Sequence, residues 1–328
     1  MIAFIRQNRV LALCVFIIYF IALFFGSLFQ NNPGPVGQSF GPLLDLLYYA
    51  LFEVLSFKPW FVNIIQFSLL LIQASILNYI FKSQFINQQH WLTFIVYFLF
   101  ALIFQLPSLD LGWYIANTIL VFIVNTLIKV SQKKKPIKEI FDVFFLMGLL
   151  FLLFPSSILF FVFIWVVMAR FRAFMVTEVL IGVIGFLLPL IWFFSFLLLT
   201  DDTTYHFSVR EIFNSAIHTF PNIGYDDWAF LVVISLMLTV VIINIQASFL
   251  RLTVKNRNYF VLHFWMLLFC VLSYIVMPEK DKVGLLLMAI PLSSLFSRYL
   301  LILKRRVFSD LILCLLLLFA LERQFNFI

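Results

Sequence analysis

Carboxylates gather on one side of the path this chain is expected to take. They are the side chains best suited to acid–base work or to holding a divalent cation. In the segment 41–56 the polar residues Asp45, Tyr49, Glu53 and Ser56 recur at intervals of four, four and three, so they share one helical stripe. Asp110, the pairs Asp201–Asp202 and Asp226–Asp227, His206 and His218 fall on the same side. Asp45 is the first candidate for a catalytic base, with Glu53 or Asp110 to orient it or to share a cation. The spacings fix no metal pattern, and neighbouring residues on a helix point in different directions. The plainer alternative is that these are the acids left on one face of a membrane protein by the charge bias of its loops.

Amides are the second set. Gln66 and Gln73 stand seven apart in one apolar run, with Asn63 and Asn78. Asn117 and Asn125 stand eight apart in another. Polar groups inside hydrocarbon are costly and often functional. Two uses are open: hydrogen bonds between helices, or the lining of a substrate path.

The elements that must position these residues are membrane helices. The chain has 328 residues, 64% hydrophobic and only 11% charged, and its mean hydropathy is +1.10. A soluble domain carries about a quarter charged residues, more than twice what this chain offers. Apolar runs at 9–29, 59–81, 90–106, 113–130, 138–154, 157–170, 175–199, 228–250, 259–277, 283–303 and 306–321 predict an all-α, polytopic bundle of about eleven spans. The runs flanking Pro107 and Pro155 are short and could instead be re-entrant hairpins. The whole chain reads as a single membrane domain.

Basic clusters orient it. Lys133–Lys135, Arg170 with Arg172, Arg251 with Lys255 and Arg257, and Lys304–Arg306 lie between apolar runs. Short basic loops stay in the cytoplasm. The N-terminus is then cytoplasmic, and the C-terminus and the acidic turns lie on the outer, periplasmic side of a bacterial inner membrane. That bias accounts for the net charge of +7, so no nucleic-acid partner is expected. Two amphipathic segments on the outer side, 41–56 and 207–220, are read as interfacial helices. Glu178 and Asp142 are read as partners of loop cations, with Arg170 and Arg172 in reach of Glu178. Cys14, Cys270 and Cys314 sit in apolar runs and form no disulfide framework. No phosphate-binding glycine loop, HExxH or GxSxG motif occurs in the sequence.

From Lys138 to Phe194 the chain has a basic loop, two short spans turning at Phe154–Pro155, a basic stop at Arg170–Arg172, and a span with Gly185 and Pro189. This pattern resembles a Bacteroidota family of multi-pass inner-membrane proteins, a domain of unknown function. It carries no functional residue with it. A looser architectural resemblance is to polyprenyl-phosphate-dependent glycosyltransferases of the GT-C type. A cytoplasmic N-terminus, an outer interfacial helix after the first span and hairpins of short spans carry that likeness. It implies a polyprenyl-phosphate lipid as substrate and an outer carboxylate as base. The loop directly after the first span, Gln30–Phe40, has no acid, which leaves Asp45 and Glu53. Three functions follow as expectations. The first is a GT-C-like role in cell-envelope biogenesis. The second is a non-catalytic subunit of an export, secretion or surface-assembly complex, with inner-membrane or periplasmic protein partners. The third is a transporter or flippase. Membrane lipids are partners in all three.

Overall fold

The computed structural model describes residues 42–49, 59–85, 91–104, 111–171, 175–199, 235, 238–246, 252–276, 283–303 and 306–325. All the elements among them are helical. They are α1 (Pro42–Tyr49), α2 (Pro59–Gln84), α3 (Leu92–Ile103), α4 (Leu111–Gln132), α5 (Ile137–Leu153), a 3-10 turn at Pro155–Ser157, α6 (Ile158–Phe171), α7 (Val176–Leu199), α8 (Val254–Val276), α9 (Val283–Ile302) and α10 (Arg306–Phe325). In lipid the backbone must satisfy its own hydrogen bonds, and a helix does so within one segment. Phe61–Gln84, Leu111–Gln132 and Val176–Leu199 are long and apolar enough to cross a membrane. The chain is a multi-pass membrane protein. The expected span 9–29 and interfacial segment 207–220 lie outside the described residues. Of the segment 41–56, the structure describes the helix α1.

The helices differ sharply in what surrounds them. Every residue of α3 from Leu92 to Ile103 is buried. At 1.5 Å per residue its twelve residues reach about 18 Å, well short of a bilayer core. A helix sheathed by protein does not have to span lipid by itself. Its neighbours include α2, α9 and α10, with Phe100 set edge-on to Phe296 at 5.2 Å. α7 is the opposite case. It buries one seam, Glu178, Gly182, Gly185, Pro189 and Phe193, at intervals of four, three, four and four. Around that seam Leu180, Ile184, Ile191, Trp192 and Leu198 stand exposed, as apolar residues facing lipid should.

The α7 seam depends on glycines. A Cβ at Gly148 of α5 would come within 2.5 Å of the Phe186 carbonyl, and one at Gly185 within 2.9 Å of the Phe141 carbonyl. Glycine therefore lets the two backbones touch, as is common where membrane helices pack. Phe144, below Gly182, also meets Phe161 at 5.6 Å and Trp165 at 4.8 Å. α5 and α7 run parallel, because α6 carries the chain back before α7 begins.

The same alternation holds for α2, α3 and α4. Gln73 bonds Thr118, and eleven residues later Gln84 accepts from Gln132, so α2 and α4 are parallel. The ends of the bundle are thereby defined. At one end Lys255 Nζ donates to the Ser83 carbonyl at 2.8 Å, capping α2. Lys133 pairs with Glu139 there, and Lys82 sits 4.0 Å over the Trp91 ring. Lys133–Lys135 and the Lys255–Arg257 turn meet at this basic end. The acid paired with a loop cation is thus Glu139, next to the expected Asp142, which is half-buried. At the opposite end Trp113 stacks on Phe154 with ring centroids 3.8 Å apart, tying the start of α4 to the Phe154–Pro155 turn.

Candidate functional site

α1 is mounted on the end opposite the basic loops. Leu44, fully buried, lies where a Cβ on Gly112 would be, 2.5 Å from its Cδ1. Glycine at the second residue of α4 leaves room for that side chain, whose methyls a Cβ would push aside. This packing sets α1, and the backbone that carries Asp45, against the start of α4 and beside α5. Asp45 is therefore on a packed helix at this end. Asp110, which immediately precedes α4 in sequence, and Glu53 lie outside the described residues. Asp201, Asp202, Asp226, Asp227, His206 and His218 do too. Among the described residues no three His, Cys, Asp or Glu side chains group together as a metal site would require.

The amides are drawn into one hub along α4, one to two turns from Gly112. Gln73 of α2 is its centre. Its Nε2 donates to the Tyr114 carbonyl at 2.8 Å and to Thr118 Oγ1 at 2.7 Å. Its Oε1 accepts from Tyr97 Oη at 2.5 Å and from Asn117 Nδ2 at 3.2 Å. Asn117 Nδ2 also reaches Tyr97 Oη at 2.8 Å. Thr118 Oγ1 donates in turn to the Tyr114 carbonyl at 2.7 Å. Gln73, Tyr97 and Asn117 are all at 0% exposure. Three helices thus share one amide, and Asn117 Oδ1 is left without a partner.

This arrangement clasps helices and does no proton chemistry. Its members are amides, hydroxyls and a carbonyl, none of which changes charge readily. Side-chain hydrogen bonds between membrane helices average about 0.6 kcal/mol and reach about 1.7 kcal/mol, so a connected set fixes register more than any single bond does. The other two amides stand apart. Gln66 is buried on α2, two turns before Gln73. Asn125 is only half-buried. Seven residues at 100° each come back within about 20° of the starting face, whereas eight overshoot by about 80°. That rotation takes Asn125 off the face that Asn117 occupies. Tyr97, Tyr114 and Thr118 completed the hub without standing out in the sequence, because tyrosine and threonine pass as apolar in a hydropathy pattern.

Glu178 was expected within reach of Arg170 and Arg172. It is 2% exposed in the first turn of α7, in line with Gly182 on the buried seam. Arg170 at the end of α6 is exposed, and Arg172 lies outside the described residues.

No curated protein matches the chain in sequence. Among solved structures it is similar to ArnT from Cupriavidus metallidurans, crystallised with undecaprenyl phosphate bound. The TM-score is 0.59 at 11% identity, over 91% of this chain and 61% of that one. At that identity the likeness is one of fold, and the chain spans 61% of the length of the protein it resembles. Residues 42–326 match the family of unknown function DUF6427, and the chain belongs to that family.

Proposed function

We propose that this protein is a GT-C-like component of cell-envelope biogenesis. It acts on a lipid-linked substrate at the periplasmic face of a bacterial inner membrane. The observation that carries the reading is the fold shared over 91% of the chain with a protein crystallised on a polyprenyl phosphate. The packed seat of α1 supports it. A base works only if it is held in place against its substrate, and Leu44 packed over Gly112 seats the helix that carries Asp45. Placing the basic end in the cytoplasm sets α1 at the periplasmic surface, where a polyprenyl-linked sugar meets its acceptor. Asp45 then takes the proton from an acceptor hydroxyl as that oxygen attacks the sugar carbon. The polyprenyl phosphate departs with the electron pair of the broken bond. Glu53 or Asp110 orients Asp45 or shares a divalent cation with it.

The test is complementation of a deletion strain with the Asp45→Asn and Glu53→Gln variants. Loss of function at unchanged membrane abundance is the expected result, with a rate loss of about 100-fold or more for removal of a positioned base. Full function in both variants would end this reading. Mass spectrometry of the protein purified at native expression supplies an independent arm. A co-purifying polyprenyl phosphate supports the proposal. Stoichiometric export or secretion proteins in its place would make the chain a non-catalytic subunit. The transporter alternative has less to stand on, since Gln73 and Asn117 are bonded to each other and to Tyr97.

A further inference from the structure

A second buried polar group lies between α8 and α9, toward the basic end. Tyr259 and His263 are one turn apart on α8, with ring centroids 4.2 Å apart. Ser294 of α9 lies beside the Tyr259 hydroxyl, yet neither hydroxyl makes a hydrogen bond of acceptable geometry. Tyr259, His263 and Ser294 are 1%, 0% and 0% exposed. His263 Nδ1 is 2.8 Å from the Tyr259 carbonyl. A carbonyl only accepts, so Nδ1 carries the proton and Nε2 presents a lone pair. That Nε2 also has no partner.

The unpartnered atoms are thus one obligate acceptor and two hydroxyls. A buried polar group is costly unless it finds a partner, so three of them on facing helices call for one. The guest that meets it must donate to Nε2 and both accept from and donate to hydroxyls. An anion cannot donate, and the Nε2 lone pair would repel it. A cation is disfavoured by Arg298, one turn after Ser294 on α9, whose guanidinium lies 4.6 Å from the Phe85 ring centre. The neighbouring serines show the contrast. Ser293 Oγ donates to the Ile290 carbonyl at 2.9 Å, and Ser297 Oγ donates to the Ser293 carbonyl. They close onto their own helix, while Ser294 faces α8 and is left open.

We infer that Tyr259, His263 and Ser294 form an internal binding site for a neutral hydroxyl, either a water molecule or a hydroxyl of a lipid headgroup. Arg298 is half-exposed one turn nearer the basic end and marks the side from which the guest enters.

Two measurements decide it. In an experimental map of the unmodified protein that resolves ordered water, density is expected within hydrogen-bond distance of His263 Nε2 and of at least one hydroxyl. A map in which the three groups bond only one another overturns the site. The second measurement is the thermal midpoint of Tyr259→Phe, Ser294→Ala and the double variant of the full chain in nanodiscs. With a guest, each single change lowers Tm by about 2 °C or more, and the double falls by less than the sum because both changes release the same guest. A dry site would leave the variants as stable as the parent or more so, since an unsatisfied polar group has been removed. Such a result would overturn the inference. Running the series in phosphatidylglycerol and in phosphatidylcholine separates the sources. Equal losses in both identify water, and a loss confined to phosphatidylglycerol identifies the headgroup hydroxyl.

Discussion

Two of the buried polar groups among the described residues are built to different ends. Around Gln73 on α2, α3 and α4, donors and acceptors consume one another and leave only Asn117 Oδ1 over. Between α8 and α9, Tyr259 Oη, His263 Nε2 and Ser294 Oγ all face inward without partners. The residue types are similar and the burial is equally complete. The difference lies in what stands opposite. Gln73 can give two bonds and take two, so one side chain completes a three-helix junction. The α8–α9 group has no amide, and the hydroxyl-binding site inferred there would take a third party. A closed polar network holds a bundle together, whereas an open one reserves a place.

The comparison breaks most visibly at its strongest point. Gln73→Leu leaves the Tyr97 hydroxyl without its acceptor and Thr118 without its donor, at a cost of about 1–3 kcal/mol for each group that finds no replacement. Steric trapping or denaturant unfolding in bicelles is expected to show this as the largest single loss among the polar variants. A loss no greater than that of Ser294→Ala would erase the distinction between the two regions. Next comes a double-mutant cycle on Tyr97→Phe and Asn117→Leu. Its expected coupling is about 0.6–1.7 kcal/mol, the range for paired polar side chains in membranes, and an additive result would mean the hub is only a set of neighbours. The smallest effect is Asn125→Leu, which removes an amide from the same helix but outside the hub. A change within about 0.5 kcal/mol is expected there.

How much of this was legible in the sequence depends on the distance over which partners are set. The helical ranges were legible because a bilayer demands long apolar runs and punishes charge, and α2, α4 and α7 satisfy that rule outright. The shared face of Gln66 and Gln73 followed from a seven-residue spacing, and both are buried. Which amide would be the hub did not follow, since the choice rests on Tyr97 arriving from α3, 24 residues away. His263 and Ser294 lie on successive helices, 31 residues apart, so no local pattern joins them. The pairing of Glu139 with Lys133 was obscured by Asp142, three residues later, because a single turn of helix offers both acids to the same loop. Glu178 adds a feature that local sequence did not show, its place on the buried glycine seam of α7.

The enclosure of α3 has a consequence for how the protein is made. Twelve residues of hydrocarbon cannot be handed to lipid as an independent span during synthesis. α3 has to wait at the insertion machinery, or lie at the surface, until α2 and α4 close around it. Its remaining sides are covered by α9 and α10, which emerge from the ribosome nearly two hundred residues later. A nascent chain halted before α9 therefore carries an unsheltered apolar segment and is a natural target for membrane proteases. The arrival of α9 and α10 becomes a quality check, because helices translated much later decide whether α3 survives.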